Sequence, residues 1–206
     1  MLKIWGRRNS SNVQKVTWCC AEVGLDYQHE DAGGEFGRTR DTDMLARNPN
    51  ARVPTIEDDG FVLWESNAIV RYLCAKYAAG TLCPESPTAR ADADRWMDWQ
   101  QTTVLGPLTT IFWGLVREPD RFTREQIDQA IADAVPVWQI LDRHLAGREW
   151  IVGDRFTMAD IPLGPMAWRW FSLVDKRPPM PAFEAWFERI RARPAFDAQV
   201  ASIPLT

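Results

Sequence analysis

The hydrophobic pattern of this 206-residue chain changes character near residue 80. Before that point short apolar runs alternate with single helical segments, whereas every later segment has the apolar spacing of a helix. Residues 79–88 carry two prolines and a glycine between helical patterns, which is typical of a linker. The pattern therefore predicts two domains: 1–80, an α/β unit with a mixed sheet, and 88–206, which is all-α.

The first thirty residues predict a strand, a helix and a second strand. Leu2–Trp5 is short and apolar, as in a buried strand, and Asn9–Asn12 supplies four consecutive side chains of the helix-capping type. Apolar residues then recur at helical spacing over 13–23, and Gly24 is placed to end the helix. Tyr27–Glu30 is the second predicted strand.

A hairpin and a helix complete the predicted α/β unit. Residues 58–60, Asp-Asp-Gly, separate the apolar runs 53–57 and 61–64, and Asp-Gly between such runs favours an antiparallel hairpin. Ser66 follows as the predicted cap of a helix that ends near Gly80. The polar stretch before the hairpin reads as a loop with at most one short helix.

Beyond the linker the segments are helical. The first, Thr88 to Val116, is expected to kink or break at Gly106-Pro107, because proline removes a backbone donor and clashes with the preceding turn. A second helix starts at the capping box Thr123–Gln126. Another box of the Thr-x-x-acid kind, Thr157–Asp160, predicts a helix start at that point and is assigned to structure. Pro181–Ile190 forms the last amphipathic helix.

Charge and composition argue against several classes of function. The net charge is −4, without a block of lysines and arginines, so nucleic acid and anionic membrane are not expected as main partners. No apolar run approaches the ~18 residues of a membrane span, and the start lacks a signal-peptide core, so we expect a cytoplasmic protein. The four cysteines lack Cys-x-x-Cys spacing and there are two histidines, so no metal site is expected.

Two short motifs are candidate binding elements. Pro54 at a strand start would, if its peptide bond is cis, leave the backbone N–H and C=O of Val53 free to pair with an extended peptide ligand. Glu65 and Ser66 lie where a strand meets a helix start, so they could hold the ammonium and carboxylate groups of an amino-acid head. An ordinary strand entry and simple helix capping are the alternative interpretations of these motifs.

The polar cluster Asn9–Asn12 could stabilise an anion such as a thiolate. A free thiol with a pKa of about 8.5 is only about 3% ionised at pH 7, and lowering that pKa by ~2 units requires ~2.7 kcal/mol. One charge-assisted hydrogen bond contributes ~1.5 to 3 kcal/mol, and the helix terminus adds ~0.3 to 1 kcal/mol. One donor at this helix start is therefore sufficient.

Taken together, these motifs resemble those of the cytosolic glutathione S-transferases, in particular the bacterial, serine-type, theta-like branch. The resemblance covers nearly the whole chain. It rests on the cluster Asn9–Asn12, Asn48-Pro49 ahead of Val53-Pro54, Glu65 to Ile69 with Tyr72-Leu73 behind it, and Phe156 to Asp160. It implies a thioredoxin-like N-terminal domain that binds glutathione as co-substrate, followed by an all-helical C-terminal domain.

The resemblance also implies roles for individual residues. The cysteinyl backbone of glutathione would pair with Val53 ahead of a cis Pro54, and its γ-glutamyl group would lie on Glu65 and Ser66. Two arginines are candidates for the glycyl carboxylate, Arg52 first and Arg40 second.

The residue that activates the thiol is expected within the first polar cluster. Ser10 matches the serine of the theta-like branch best, while Ser11 and Asn12 remain alternatives because a shift of one residue changes which side chain faces the sulfur. Tyrosine-type and cysteine-type activation are excluded, since neither residue type lies near the end of the first strand.

The second substrate is expected in a cleft between the domains. Phe112, Trp113 and Trp168 are candidates for its aromatic wall, although most tryptophans of a helical bundle belong to the core. The expected activity is addition of the glutathione thiolate to an apolar electrophile, as in detoxification. A non-catalytic glutathione-binding protein and a glutathione-dependent isomerase or disulfide-bond reductase are the alternatives. The resemblance further implies a homodimer, with the helix from Thr88 at its interface.

Overall fold

The N-terminal domain contains a four-stranded mixed sheet. A computed structural model describes all residues, 1–206. The strand order is β2-β1-β3-β4, with β1 parallel to β2 and antiparallel to β3, and β3 antiparallel to β4. The elements are β1 Leu2–Trp5, α1 Ser11–Val23, β2 Tyr27–Glu30, α2 Thr42–Arg47, β3 Thr55–Asp58, β4 Phe61–Trp64 and α3 Ser66–Tyr77. The predicted order of strands and helices is confirmed.

The hairpin between β3 and β4 forms, but its turn is shorter than predicted. Only Asp59 and Gly60 lie in the turn, with φ of 50° and 87°, while Asp58 ends β3. The reason is that the buried Asp58 carboxylate accepts hydrogen bonds from Tyr72 (2.9 Å), Lys76 (2.7 Å) and Tyr77 (2.8 Å). Asp58 thereby ties the hairpin to α3.

The C-terminal domain is helical. Its elements are α4 Pro87–Trp99, α5 Leu105–Phe112, α6 Arg124–Leu145, α7 Gly164–Leu173, α8 Pro181–Arg191 and the short α9 Pro194–Phe196. Widened π-helical turns occupy Gln100–Val104, Trp113–Arg117 and Asp197–Ala201. None of the helices combines the length and apolar character that a membrane crossing requires.

The predicted break at Gly106-Pro107 is wrong. The chain stays helical through these two residues, and the irregularity lies one turn earlier, at Gln100–Val104. A widened turn ahead of a proline accommodates both its missing N–H and its ring, so the chain stays helical through Pro107. This wide turn faces the N-terminal domain.

The helix predicted to start at Thr157–Asp160 begins later, at Gly164. Residues 158–163 form successive turns, because Pro162 and Pro165 lack two of the backbone donors that would continue a regular helix from Thr157. The carboxylate of Asp160 instead organises the segment. It accepts from the N–H groups of Thr157 (2.9 Å) and Ile151 (3.2 Å) and from the indole N–H of Trp186 (2.8 Å).

One hydrophobic core runs through both domains. Trp18 of α1 is fully buried and packs against Phe156 and Phe196 of the helical domain, with ring centroids 5.4 and 5.0 Å apart. Helix α7 approaches so closely that a Cβ on Gly164 would lie 2.5 Å from the Trp18 ring. Helix α1 is therefore held between the sheet and the helical domain, and this fixes how its first turn faces the other domain.

We expect Asp160→Ala to lower the free energy of unfolding by about 3 kcal/mol, because three buried N–H donors lose their acceptor. Urea denaturation followed by tryptophan fluorescence measures the change. Asp154→Ala, at a side chain that is 91% exposed, is the matched control and is expected to stay within about 0.5 kcal/mol of the wild type. Equal stability of both variants would contradict the role given to Asp160.

Candidate functional site

Two adjoining cavities lie between the N-terminal domain and the helices of the C-terminal domain. The polar cavity, about 170 Å³, is lined by Lys15, Asn48, Asn50, Pro54, Glu65, Ser66 and Gln101. The arginine-lined cavity, about 430 Å³, is lined by Arg7, Arg117 and Arg169 together with Ser10, Ser11, Phe112 and Trp113. Both cavities share four residues, Asn12, Arg52, Val53 and Leu105, which mark their junction.

The segment before β3 presents an unpaired backbone edge to the polar cavity. The Val53–Pro54 peptide bond is cis, and neither the N–H nor the C=O of Val53 is hydrogen-bonded within the chain. Asn48, which is buried, holds this segment in place. Its amide donates to the carbonyl of Arg52 (2.9 Å) and to the hydroxyl of Thr55 (3.0 Å). An extended ligand can pair with the free groups of Val53.

Glu65 and Ser66 form the opposite wall of the polar cavity. Glu65 precedes α3 with a φ of 70°, a conformation that costs a non-glycine residue of the order of 1 kcal/mol. Ser66 is the first residue of α3, and its hydroxyl does not cap the helix but donates to the Asn12 Oδ1 at 3.3 Å. The capping interpretation of Ser66 is therefore wrong, and the free N–H groups of this helix start face the cavity.

Lys15 is a charged group that the sequence analysis missed. Its side chain is 1% exposed, and its ammonium donates to Gln100 Oε1 (2.7 Å), Asn67 Oδ1 (3.2 Å) and Ser66 Oγ (3.4 Å). Burial, with repulsion from Arg169, lowers the pKa of Lys15 to about 7, against the attraction of Glu65. No sequence pattern marks this lysine, because its burial follows from the packing of α1 against α3 and the helical domain.

The start of α1 lies at the junction of the cavities. Ser10 is the N-cap residue, yet its hydroxyl makes no capping hydrogen bond, and the first turn has no acidic side chain. Ser10 and Ser11 line only the arginine-lined cavity, whereas Asn12 lines both cavities. The first N–H groups of α1 and three polar side chains therefore face a place where an anion would be stabilised.

The remaining predicted site residues divide into two groups. Arg52, Phe112 and Trp113 line the cleft. Arg40 is exposed and lines neither cavity. Trp168 also lies away from both cavities, because its ring packs in the helical domain against Phe187 and Phe196, with centroids 6.5 and 6.3 Å apart.

Arginines 7, 117 and 169 were not anticipated either. Each follows an ordinary helical or loop pattern, and residues so distant in sequence give no signal that they converge. Arg169 is 8% exposed, and its guanidinium carbon lies 3.6 Å from the centroid of the Phe112 ring. Burial, together with repulsion from Arg117 and Arg7, lowers the pKa of Arg169 to about 9.

The cleft lies between a helical domain and a thioredoxin-like sheet domain that has a free backbone edge. This arrangement defines the glutathione S-transferase class of protein. Family models of the glutathione S-transferase N-terminal and C-terminal domains match residues 1–75 and 106–194. The chain belongs to the glutathione S-transferase family, as the resemblance in its motifs predicted.

Several relatives match over all or nearly all of their length. The chain is 40% identical to glutathione S-transferase GstB of Escherichia coli strain K12, covering 100% of both proteins, and 33% identical to glutathione S-transferase 3 of Zea mays, covering 99% of this chain and 95% of that protein. The crystal structure of the theta class glutathione S-transferase of Xanthomonas axonopodis pv. citri with glutathione bound is similar with a TM-score of 0.94. It is 44% identical and covers 100% of this chain and 99% of that one.

The titration of Lys15 is expected to make stability depend on pH. The pKa of Lys15 is about 7 in the folded protein and near its ordinary value of 10.5 in the unfolded chain, so the unfolded chain binds more protons between these values. Because stability then rises with pH, the Lys15 contribution to the free energy of unfolding should grow by about 2 kcal/mol from pH 6.5 to 8.5.

Urea denaturation at both pH values gives the free energy of unfolding of the wild type and of Lys15→Met. The Lys15 contribution is the difference between the two proteins in how this free energy changes with pH. Lys176→Met, which changes an exposed lysine, is the control and should keep the wild-type slope. If Lys15→Met also keeps that slope, Lys15 does not titrate in this range.

Proposed function

We propose that this protein is a glutathione transferase that binds the tripeptide in the polar cavity and holds its sulfur at the junction of the two cavities. One observation carries the proposal. The unpaired Val53 backbone, the Glu65-Ser66 pair and the start of α1 all open onto a single continuous cleft. GstB is named a glutathione S-transferase, and the theta class relative holds glutathione in its crystal structure.

The ends of the tripeptide have complementary partners in the cavity. The Glu65 carboxylate accepts hydrogen bonds from the ammonium group of the γ-glutamyl residue. The α-carboxylate of that same ligand residue lies on Ser66 and the N-terminus of α3, where Lys15 adds a positive charge. The cysteinyl N–H and C=O pair with Val53 as in an added strand. Arg52 is the candidate for the glycyl carboxylate, and Arg40 is the weaker one because it lies outside the cavity lining.

The sulfur then lies beside the start of α1. Asn12 is the favoured donor among Ser10, Ser11 and Asn12, because it alone of the three lines both cavities. Its Oδ1 accepts from Ser66, which leaves the amide N–H groups available to a thiolate. One such bond together with the helix terminus supplies the ~2.7 kcal/mol that lowers a thiol pKa by ~2 units.

The reaction takes place in the arginine-lined cavity. The thiolate sulfur forms a bond to an electrophilic carbon, and either a leaving group departs with its electron pair or the electrons move into a conjugated acceptor. The half-buried Trp113 ring supplies the flat wall against which such a substrate stacks, whereas the Phe112 ring is buried beneath Arg169.

Calorimetry tests the binding part of this proposal. We expect Glu65→Gln to weaken the binding of reduced glutathione about tenfold or more, because the ammonium group loses its charged partner. Glu149→Gln, which changes an exposed glutamate, is the control and should bind as the wild type does. Absence of binding by the folded wild type at millimolar glutathione would refute the proposed function.

Thiolate absorbance of bound glutathione, recorded against pH, tests the activation. The wild type should ionise the thiol well below its free pKa, and Asn12→Ala should raise that midpoint by about 1 to 2 pH units. Ser10→Ala and Ser11→Ala are the matched variants, and a larger shift in either would transfer the role to that serine. A wild-type midpoint equal to that of free glutathione would identify a binding protein without thiol activation.

We further propose a cytoplasmic homodimer with α4 at its interface. The family resemblance supports this assembly, and the four cysteines, which are all free thiols, fit a reducing compartment. Residues 79–88 remain the proposed linker. Sedimentation at twice the chain mass of 23.6 kDa is the expected result, and a single-chain mass would contradict the dimer.

A further inference from the structure

The arginine-lined cavity is positively charged, and an apolar electrophile would leave this charge without a partner. Its lining includes four arginines, Arg7, Arg52, Arg117 and Arg169, and no aspartate or glutamate. Arginine is usually paired when it is buried, since an unpaired charge in a low-dielectric site is costly. Of the four, only Arg169 is buried and Arg52 is exposed, so the case for an anionic ligand rests first on Arg169.

Arg169 makes the strongest case. Its side chain forms no salt bridge, its Nε is buried without a hydrogen-bond partner, and its guanidinium stacks on Phe112 at the cavity wall. Because one face of the Arg169 guanidinium lies on the Phe112 ring, the plane of the guanidinium is fixed. The N–H groups at its edge are therefore free to donate to a ligand. A planar guanidinium held in this way matches the two oxygens of a carboxylate.

The other charged groups around Arg169 reinforce the positive field. Arg7 donates to Asn9 Oδ1 (2.8 Å), a neutral partner that leaves its charge uncompensated. Arg117 donates to the terminal oxygen of Thr206 and is attracted by Glu118, so its charge is partly balanced. Glu35 is the one acidic group that acts on Arg7, and it does not line the cavity. Burial, with repulsion from Arg117, lowers the pKa of Arg7, as expected of cations that lack an anion.

We propose that the second substrate is an electrophile that carries a carboxylate, and that Arg169, held on the buried Phe112 ring, binds this carboxylate while Trp113 stacks on its planar part. This inference rests on the proposed function, because it names the substrate class of the same site. The carboxylate on Arg169 and the stacked ring together orient the reacting carbon toward the junction of the cavities, where the glutathione sulfur is held.

A matched pair of chloroarenes tests the proposal. In 4-chloro-3,5-dinitrobenzoate and the uncharged 4-chloro-3,5-dinitrobenzamide, the thiolate adds to the carbon that bears chlorine, the C–Cl bond breaks, and chloride leaves with the electron pair. The thiol proton goes to solvent. Each kcat/KM is divided by the rate constant of the uncatalysed reaction with glutathione, which removes the difference in intrinsic reactivity.

The wild type should prefer the carboxylate by about tenfold or more in this normalised kcat/KM. Arg169→Met should remove most of that preference, because the normalised kcat/KM falls much further with the carboxylate than with the amide, and Arg169→Lys should restore part of the preference. Arg121→Met is the matched control. Arg121 lies 4.4 Å from the centroid of Trp113 but is exposed, pairs with Glu118 and does not line the cavity, so the preference should persist.

A second experiment measures inhibition by compounds that bind but do not react, and it tests the proposal even if an Arg169 variant does not fold. Inhibition of the wild type by 3,5-dinitrobenzoate should be about tenfold stronger than inhibition by 3,5-dinitrobenzamide, and the difference should shrink in Arg7→Met. Equal normalised rates with both chloroarenes, or equal inhibition by both dinitro compounds, would overturn the carboxylate proposal while leaving the transferase function intact. No binding of glutathione in calorimetry would instead refute the proposed function itself.

Discussion

The hydrogen bonds of one buried ammonium group connect the elements that form the site. Lys15 on α1 donates to Ser66 and Asn67 at the start of α3 and to Gln100 at the start of the first wide turn. A buried ammonium is stable only when its N–H groups find acceptors, so these three elements must meet at this point. The polar cavity is therefore formed by the same contacts that join the two domains.

The wide turn Gln100–Val104 contacts both the buried Lys15 and the polar cavity. Gln100 faces inward to Lys15, and its neighbour Gln101 faces the cavity, where its amide lies 3.4 Å from Glu65 Oε2. Adjacent residues of a helix point about 100° apart, so one turn can reach a buried partner and a cavity residue at once. Glu65 lies between the end of β4 and the start of α3, and Gln101 donates to its carboxylate, so the neighbouring elements hold its costly backbone conformation in place.

The local part of the fold could be predicted from sequence, whereas the tertiary part could not. The strands, the hairpin, the Val53-Pro54 and Glu65-Ser66 elements and the polar start of α1 depend on neighbouring residues, and turn and capping chemistry is encoded there. Lys15, Arg7, Arg117 and Arg169 come together only after the domains pack, and periodicity carries no information about which polar residue of a helix meets another helix. Trp168 shows the same limit, because an aromatic residue in a helical pattern can face either a cleft or the core.

The two cavities differ in charge, and this difference follows from where their residues are anchored. The polar cavity contains Glu65 beside Lys15, so it matches a zwitterionic head group, whereas the arginine-lined cavity is positive throughout. Arg169 belongs to α7, and the next residue, the buried Trp170, fixes an adjoining face of this helix against Trp138. A guanidinium on a packed helix and stacked on an aromatic ring cannot turn away from the cavity when it is empty. Folding of the helical domain thus fixes the orientation of Arg169, and a bound anion gains the interaction without the entropy cost of ordering this side chain.

The positive field of the arginines also acts on a thiolate held at the cavity junction. A positive second-substrate cavity therefore favours both the anionic nucleophile and an anionic electrophile.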